Sequence, residues 1–191
     1  AVFFTIPVQK AKRETPINKI MISQNENWKM KILGQLNVYK RAPYYNEVIQ
    51  LVNDTLGIQT SSISDMAIAS IVKTCEYLGI HMKSDVFSEM NLRIPNVNAP
   101  DEWALYITKE SGYDTYVNPP GGRSFFDPEK YKKHNIDLQF LEQEIVPYRQ
   151  KGKEFIPALS IIDVMMFCSK DQIASMLRQY QIRRKNENGY Q

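Results

Sequence analysis

Between residues 27 and 78 apolar side chains recur at helical spacing, and this periodicity restricts the fold more than any other feature of the chain. Trp28, Ile32, Leu36 and Tyr39 fall at i, i+4, i+8 and i+11, one stripe of an amphipathic helix. Pro43 interrupts the pattern within "KRAPYY". It resumes through Val48, Leu51, Val52 and Leu56, after which Gly57 supplies a cap. A third helix is expected from about Ser62 to Leu78, with Ser64 as N-cap. Its inward face is Ile68, Ile71, Val72, Cys75 and Leu78, and Gly79 ends it. Trp28, Tyr39, Tyr44 and Tyr45 read as core or as a stacking surface for a ring, and the basic residues of 29–41 as a solvated helix face.

On either side of this segment the period changes to that of strands. Val2–Val8 is rich in β-branched and aromatic residues and reads as a buried strand. Pro16 and Asn18 turn the chain into "INKIMI" (17–22), which alternates and is expected to pair antiparallel with it. Further on come a loop at 93–100, a helix at 101–110 with Trp103 and Ile107 inward, and the strand "YDTYV". The short helix "DPEKYKKHN", the strand "IDLQFL" and a last helix from about Ser160 to Tyr180 follow. Helices alternating with short strands over 80–141 predict an α/β fold, with a mixed, largely parallel sheet, flanking helices and a helical insert. A length of 191 residues suits one domain, 1–180, and 181–191 is expected as a flexible basic tail. The chain opens at Ala1 directly into a strand, so further residues are expected ahead of it.

A net charge of +3 is too small to argue for a nucleic-acid partner. No apolar run reaches the roughly 18 residues a spanning helix needs, so neither membrane insertion nor a signal peptide is expected. Cys75 and Cys168 lack metal-ligand spacing and read as buried thiols of a reducing compartment, which predicts a cytoplasmic protein. Nothing in the sequence calls for a cofactor.

Two motifs carry candidate chemistry. In "TYVNPPGGRSFFD" (115–127), Gly121 and Gly122 let backbone amides approach an anion. Arg123 can pair with phosphate or carboxylate, and Asn118 can read sugar hydroxyls. The same residues also make a Pro-Pro-Gly-Gly turn, and they match neither a P-loop nor GxGxxG. In "LSIID" (159–163), Ser160 and Asp163 read first as a capping box that starts the last helix, and the alternative is that Asp163 faces a site as a base or cation partner. His81 and His134, the only histidines, complete no triad or zinc set.

Four stretches, in this order, resemble the WbqC-like family of bacterial proteins, which is found with surface-polysaccharide (O-antigen) biosynthesis genes. They are "WKMKILGQLNVYKRAPYY" (28–45), "CEYLGI" (75–80), "YDTYVNPPGGRSFFD" (113–127) and "EFIPALSIIDVMMFC" (154–168). Tyr116, Gly121, Gly122, Asp127, Ser160 and Asp163 match the family pattern, and Arg123 stands for a usual lysine. Asn118-Pro119, Ile32, Phe167 and Ser169 depart from it. Members of the family carry a preceding stretch with a His-Gln-Pro motif. The resemblance implies a group transferase, acting by acyl or aminoacyl transfer on a nucleotide sugar or amino sugar. Tyr116, Gly121, Gly122, Arg123 and Ser160 would bind substrate, joined by Asn118 on the loop chemistry alone, and Asp163 would be the catalytic carboxylate. Alternatives are a non-enzymatic subunit that docks other polysaccharide-pathway enzymes, and a nucleotidyltransferase-like enzyme whose His motif lies upstream.

Overall fold

The computed structural model describes residues 3–24 and 27–185. In chain order the elements are α1 (Trp28–Leu36), α2 (Tyr45–Leu56), α3 (Ile63–Tyr77), α4 (Pro100–Glu110) and β1 (Thr115–Asn118). They continue with α5 (Pro128–Lys133), β2 (Asp137–Gln143), α6 (Ile161–Phe167), α7 (Lys170–Leu177) and β3 (Tyr180–Arg183). The fold is α/β. Its mixed sheet has the order β1-β2-β3, with β1 parallel and β3 antiparallel to β2. Contacts gather into two compact units, a division invisible in the periodicity. One unit contains the described residues up to Ser84 and Val146–Ser175, the other Asp85–Ile145 and the described residues from Met176 onward.

The first unit is helical. The stripe on α1 is buried as its spacing predicts, with Trp28, Ile32 and Leu36 all inside, and Val48, Val52 and Leu56 of α2 join them. Met165 and Met166 of α6 complete this core. Ser62, not Ser64, caps α3 by accepting from the Asp65 amide at 3.2 Å. Of the α3 side chains only Met66 is buried, and Ile71, expected inward, is 54% exposed.

The leading strand does not form as expected. Among its described residues it bridges only at Val8↔Ile22, antiparallel, and Ile17–Lys19 is a 3-10 turn. Pro7, next to last in the run, has no amide to donate, which removes a ladder bond beside that bridge. Val2 lies outside the described residues. The expected long final helix is two helices. Cys168 is extended (φ −114°, ψ 141°), and α7 restarts on a reciprocal pair. The Ser169 hydroxyl accepts from the Gln172 amide at 3.2 Å, and the Gln172 side chain accepts from the Ser169 amide at 2.8 Å.

The second unit holds the sheet. β1 and β2 register Tyr116↔Leu138 and Asn118↔Phe140, with α5 in the crossover. Leu105, Phe126, Tyr131, Ile136, Leu138 and Phe140 form its core. On α4 the inward residues are Asp101, Leu105 and Thr108. Trp103, expected inside, is 48% exposed and lies edge-on to Phe87. Part of the expected flexible tail is also ordered, because Tyr180–Arg183 pairs with β2. Residues 186–191 lie outside the described residues.

Candidate functional site

Ser160 and Asp163 stand at the start of α6 in the first unit. Ser160 is the N-cap and accepts from the Ile162 amide at 3.3 Å, which is the capping role its position predicts. Asp163 does not complete the box. Its carboxylate, only 5% exposed, turns to two phenols instead. Tyr39 donates to Oδ2 at 2.7 Å and Tyr148 to Oδ1 at 2.6 Å. Burial, and after it the hydrogen bond to Asp163, pushes both phenols above the usual tyrosine range. Both therefore remain protonated donors near neutrality. Burial and the same negative charge raise the Cys168 thiol, which disfavours its thiolate form. Cys75 is only half-buried, and neither cysteine is in a disulfide.

Tyr39 lies on two hollows of this unit. A small cavity of about 250 Å³ is lined by Tyr39, Ser160 and Asp163 together with Phe4, Glu154 and Ile156. A wider cleft of about 760 Å³ is lined by 37–43, Arg149, Gln150, Lys151 and Phe167. The two share Val38, Tyr39, Gln150 and Lys151. The wider cleft bears Lys40, Arg41, Arg149 and Lys151 and, among the described residues, no carboxylate. None of these four cations forms an ion pair with a described residue.

The glycine loop belongs to the second unit, so within their own units the structure groups Ser160 with Asp163, and Tyr116 with 118–123. After β1 the chain forms a 3-10 turn, Pro120–Gly122. The Gly122 amide donates to Pro119 O at 3.4 Å and the Arg123 amide to Pro120 O at 3.0 Å. The row of outward amides that an anion cradle requires is thus not formed, since the turn consumes two of its three donors. Tyr116 donates to Asn118 Oδ1 at 2.9 Å, and Asn118 Nδ2 donates to Pro119 O at 2.8 Å. A Cβ on Gly122 would lie 2.5 Å from Asn118 Nδ2 and 3.0 Å from a Phe126 ring carbon, so the Asn118 side chain would have to leave its hydrogen-bonded place. Gly121 faces open space. The Arg123 guanidinium lies over the Phe140 ring at 4.9 Å, with Nη2 2.7 Å from Glu142 Oε1. No N–H of Nη2 points along that contact and Nε has no acceptor, so it is an ion pair without a well-formed hydrogen bond.

The family model of the WbqC-like proteins matches residues 1–175. The chain belongs to the WbqC-like family. No curated protein and no solved structure matches it. In this WbqC-like chain, the residues that sequence reading passed over are the basic ones. Lys40 and Arg41 read as solvated helix, yet they lie on the α1–α2 connection and share a cleft with Arg149 and Lys151. The signal in the sequence is two short basic clusters, "YKR" and "YRQK", each led by a tyrosine that reaches Asp163. His81 is exposed, and His134 ends α5 beside Tyr106. Among the described residues, no group of three His, Cys, Asp or Glu side chains converges to hold a metal ion. Among them, too, no helix is long and apolar enough to cross a membrane.

Proposed function

We propose that this WbqC-like chain acts in bacterial surface-polysaccharide (O-antigen) biosynthesis, as a group transferase on a nucleotide sugar or amino sugar. Acyl or aminoacyl transfer is the reaction class. The observation that carries this reading is Asp163, a buried carboxylate without a cation partner among the described residues, held by two phenols beside a cavity that also contains Ser160. A buried acid among neutral donors is costly to maintain for folding alone. In this reading Asp163 fixes the direction of the Tyr39 O–H. The Tyr39 oxygen is then free to accept from an incoming hydroxyl or amine and to orient it for attack on the donor carbonyl; the new bond to that carbon replaces the bond to the donor's leaving group, which departs with the proton the attacking group gives up. Asp163 is accordingly a positioning residue, and Tyr39 is the group that touches substrate. The unpaired thiols agree with a cytoplasmic location, where nucleotide sugars are available.

The test is transfer itself. The chain is incubated with nucleotide sugars and amino sugars, each with acyl and aminoacyl donors, and the sugar is weighed by mass spectrometry. A mass gain that falls at least tenfold in Tyr39→Phe, with the fold intact by circular dichroism, supports the reading. No mass gain with any pair, together with stable co-purification of another polysaccharide enzyme, replaces it with a docking subunit.

A further inference from the structure

Lys40, Arg41, Arg149 and Lys151 line a cleft of about 760 Å³ that no carboxylate of the described residues lines. Sites for small molecules run from roughly 300 to 1,000 Å³, so the hollow suits a compact organic anion. The ion pairs among described residues engage Arg123, Lys130, Arg183 and Arg184, and none of the four cleft cations. Four like charges in one hollow repel each other, an arrangement that an anionic guest relieves.

Side chains also brace the two loops that present these cations. Gln150 Nε2 donates to Ile156 O at 2.9 Å and its Oε1 accepts from the Ile156 amide at 2.8 Å, closing the loop that bears Lys151. On the other wall, the Tyr45 hydroxyl donates to Asn37 Oδ1 at 3.2 Å and the Tyr44 amide to Met166 O at 3.2 Å, pinning the connection that bears Lys40 and Arg41. Loops already ordered give up little further entropy when an anion binds. Tyr39 packs edge-on against Phe167 at 5.9 Å in the same lining, which supplies an aromatic wall next to the charge.

We infer that this cleft is the anion site of the chain and takes the diphosphate of a nucleotide-linked substrate, with Arg149 and Lys151 on one wall and Lys40 and Arg41 on the other. The nucleotide-linked identity rests on the transferase reading; the anion site rests on the geometry of the cleft.

Calorimetric titration of the 191-residue chain with inorganic pyrophosphate, uridine diphosphate and uncharged uridine tests the assignment. The expected result is saturable binding of both diphosphates and weaker or no binding of uridine. Arg149→Ala/Lys151→Ala should raise Kd about tenfold or more, and Lys12→Ala, an exposed cation outside the cleft, should leave it unchanged. Raising ionic strength from about 0.05 to about 0.3 M should weaken binding. Because both cleft positions are exposed, an unchanged melting temperature confirms that the double variant folds. Diphosphate binding that is absent, or identical in the double variant and the parent, overturns the site. So does tighter, variant-sensitive binding of single-stranded DNA, which makes the cleft a nucleic-acid groove. Sugar transfer that persists undiminished in the double variant removes this site but not the transferase. Pyrophosphate binding with no transfer removes the transferase but not the site.

Discussion

The two units place charge in opposite ways. In the second, Arg123 is folded over Phe140 and shares Glu142 with Arg183, so cation and anion answer each other inside the protein. In the first, Asp163 is buried among phenols with no cation partner among the described residues, while Lys40, Arg41, Arg149 and Lys151 line a cleft that no described acid shares. A charge answered within the fold serves the fold. A charge left unanswered at a concave surface is available to a guest. Arg123, the cation that sequence reading selected, is of the first kind, and the four it overlooked are of the second.

The sharpest way to break this contrast is to remove the buried acid. Asp163→Ala leaves the Tyr39 and Tyr148 hydroxyls without an acceptor and should cost about 2–4 kcal/mol in urea unfolding. Tyr39→Phe should cost less, because the half-buried phenol can give up a hydrogen bond without stranding a partner that still holds Tyr148. If both variants are neutral for stability, Asp163 is not held as described. The glycine loop gives the next largest effect. Gly122→Ala places a methyl 2.5 Å from Asn118 Nδ2 and should destabilise by about 1–3 kcal/mol. Gly121→Ala meets nothing and should stay within about 0.5 kcal/mol of the parent. Equal effects would mean that the pair acts through backbone freedom, as a ligand loop requires, and not through packing at one position.

Much of the fold was legible because burial follows local period. The α1 stripe, the Val48–Val52–Leu56 face and the Leu138/Phe140 alternation are all core. The reading failed where a partner distant in sequence decides the outcome. Tyr180–Arg183 has the composition of a tail, and it is a strand because β2 offers it an edge. Trp103 reads as core by hydropathy, but α4 is rotated so that Asp101 turns inward, where Lys130 meets its Oδ1 at 3.1 Å and the Asp127 amide donates to its Oδ2 at 3.2 Å. The break between α6 and α7 was written in "SKDQ", a capping box masked by the apolar run before it. Of the candidate site, Ser160 and Asp163 were found from spacing. Tyr148 and the four cations were not, and Tyr39 reads from the sequence only as core or a stacking ring, since only the tertiary fold brings residues 39–41 to residues 148–151.

A smaller effect separates the two kinds of cation. Arg123→Ala loses the Phe140 contact and one ion pair, yet Glu142 keeps Arg183, so the expected loss is about 1 kcal/mol. Arg149→Ala should leave unfolding unchanged, because no described acid pairs with it. Reversal of this order in paired urea melts would collapse the distinction between answered and unanswered charge.

The smallest effect concerns the end of the sheet. Arg184 grips Asp137 at 2.8 and 2.7 Å, and Gln139 adds a bond at 2.7 Å. The Arg184 hydrogen bond first, and then that from Gln139, hold the Asp137 carboxyl down at about 2. An unfolded aspartate titrates near about 3.9, so the folded state binds the proton less readily. The stabilisation is therefore complete above that value and disappears as pH falls through about 2. Both side chains are substantially exposed, which keeps the contribution under about 1 kcal/mol. In Arg184→Ala, the NMR titration midpoint of the Asp137 carboxyl carbon should rise toward the unfolded value, and the stability lost between pH 6 and pH 2.5 should shrink slightly. An unmoved midpoint would show that Gln139 alone holds the carboxylate. It would also leave Arg184, the residue that extends order past β3 into the expected tail, outside the charge pairing that distinguishes this unit from the open cleft of the other.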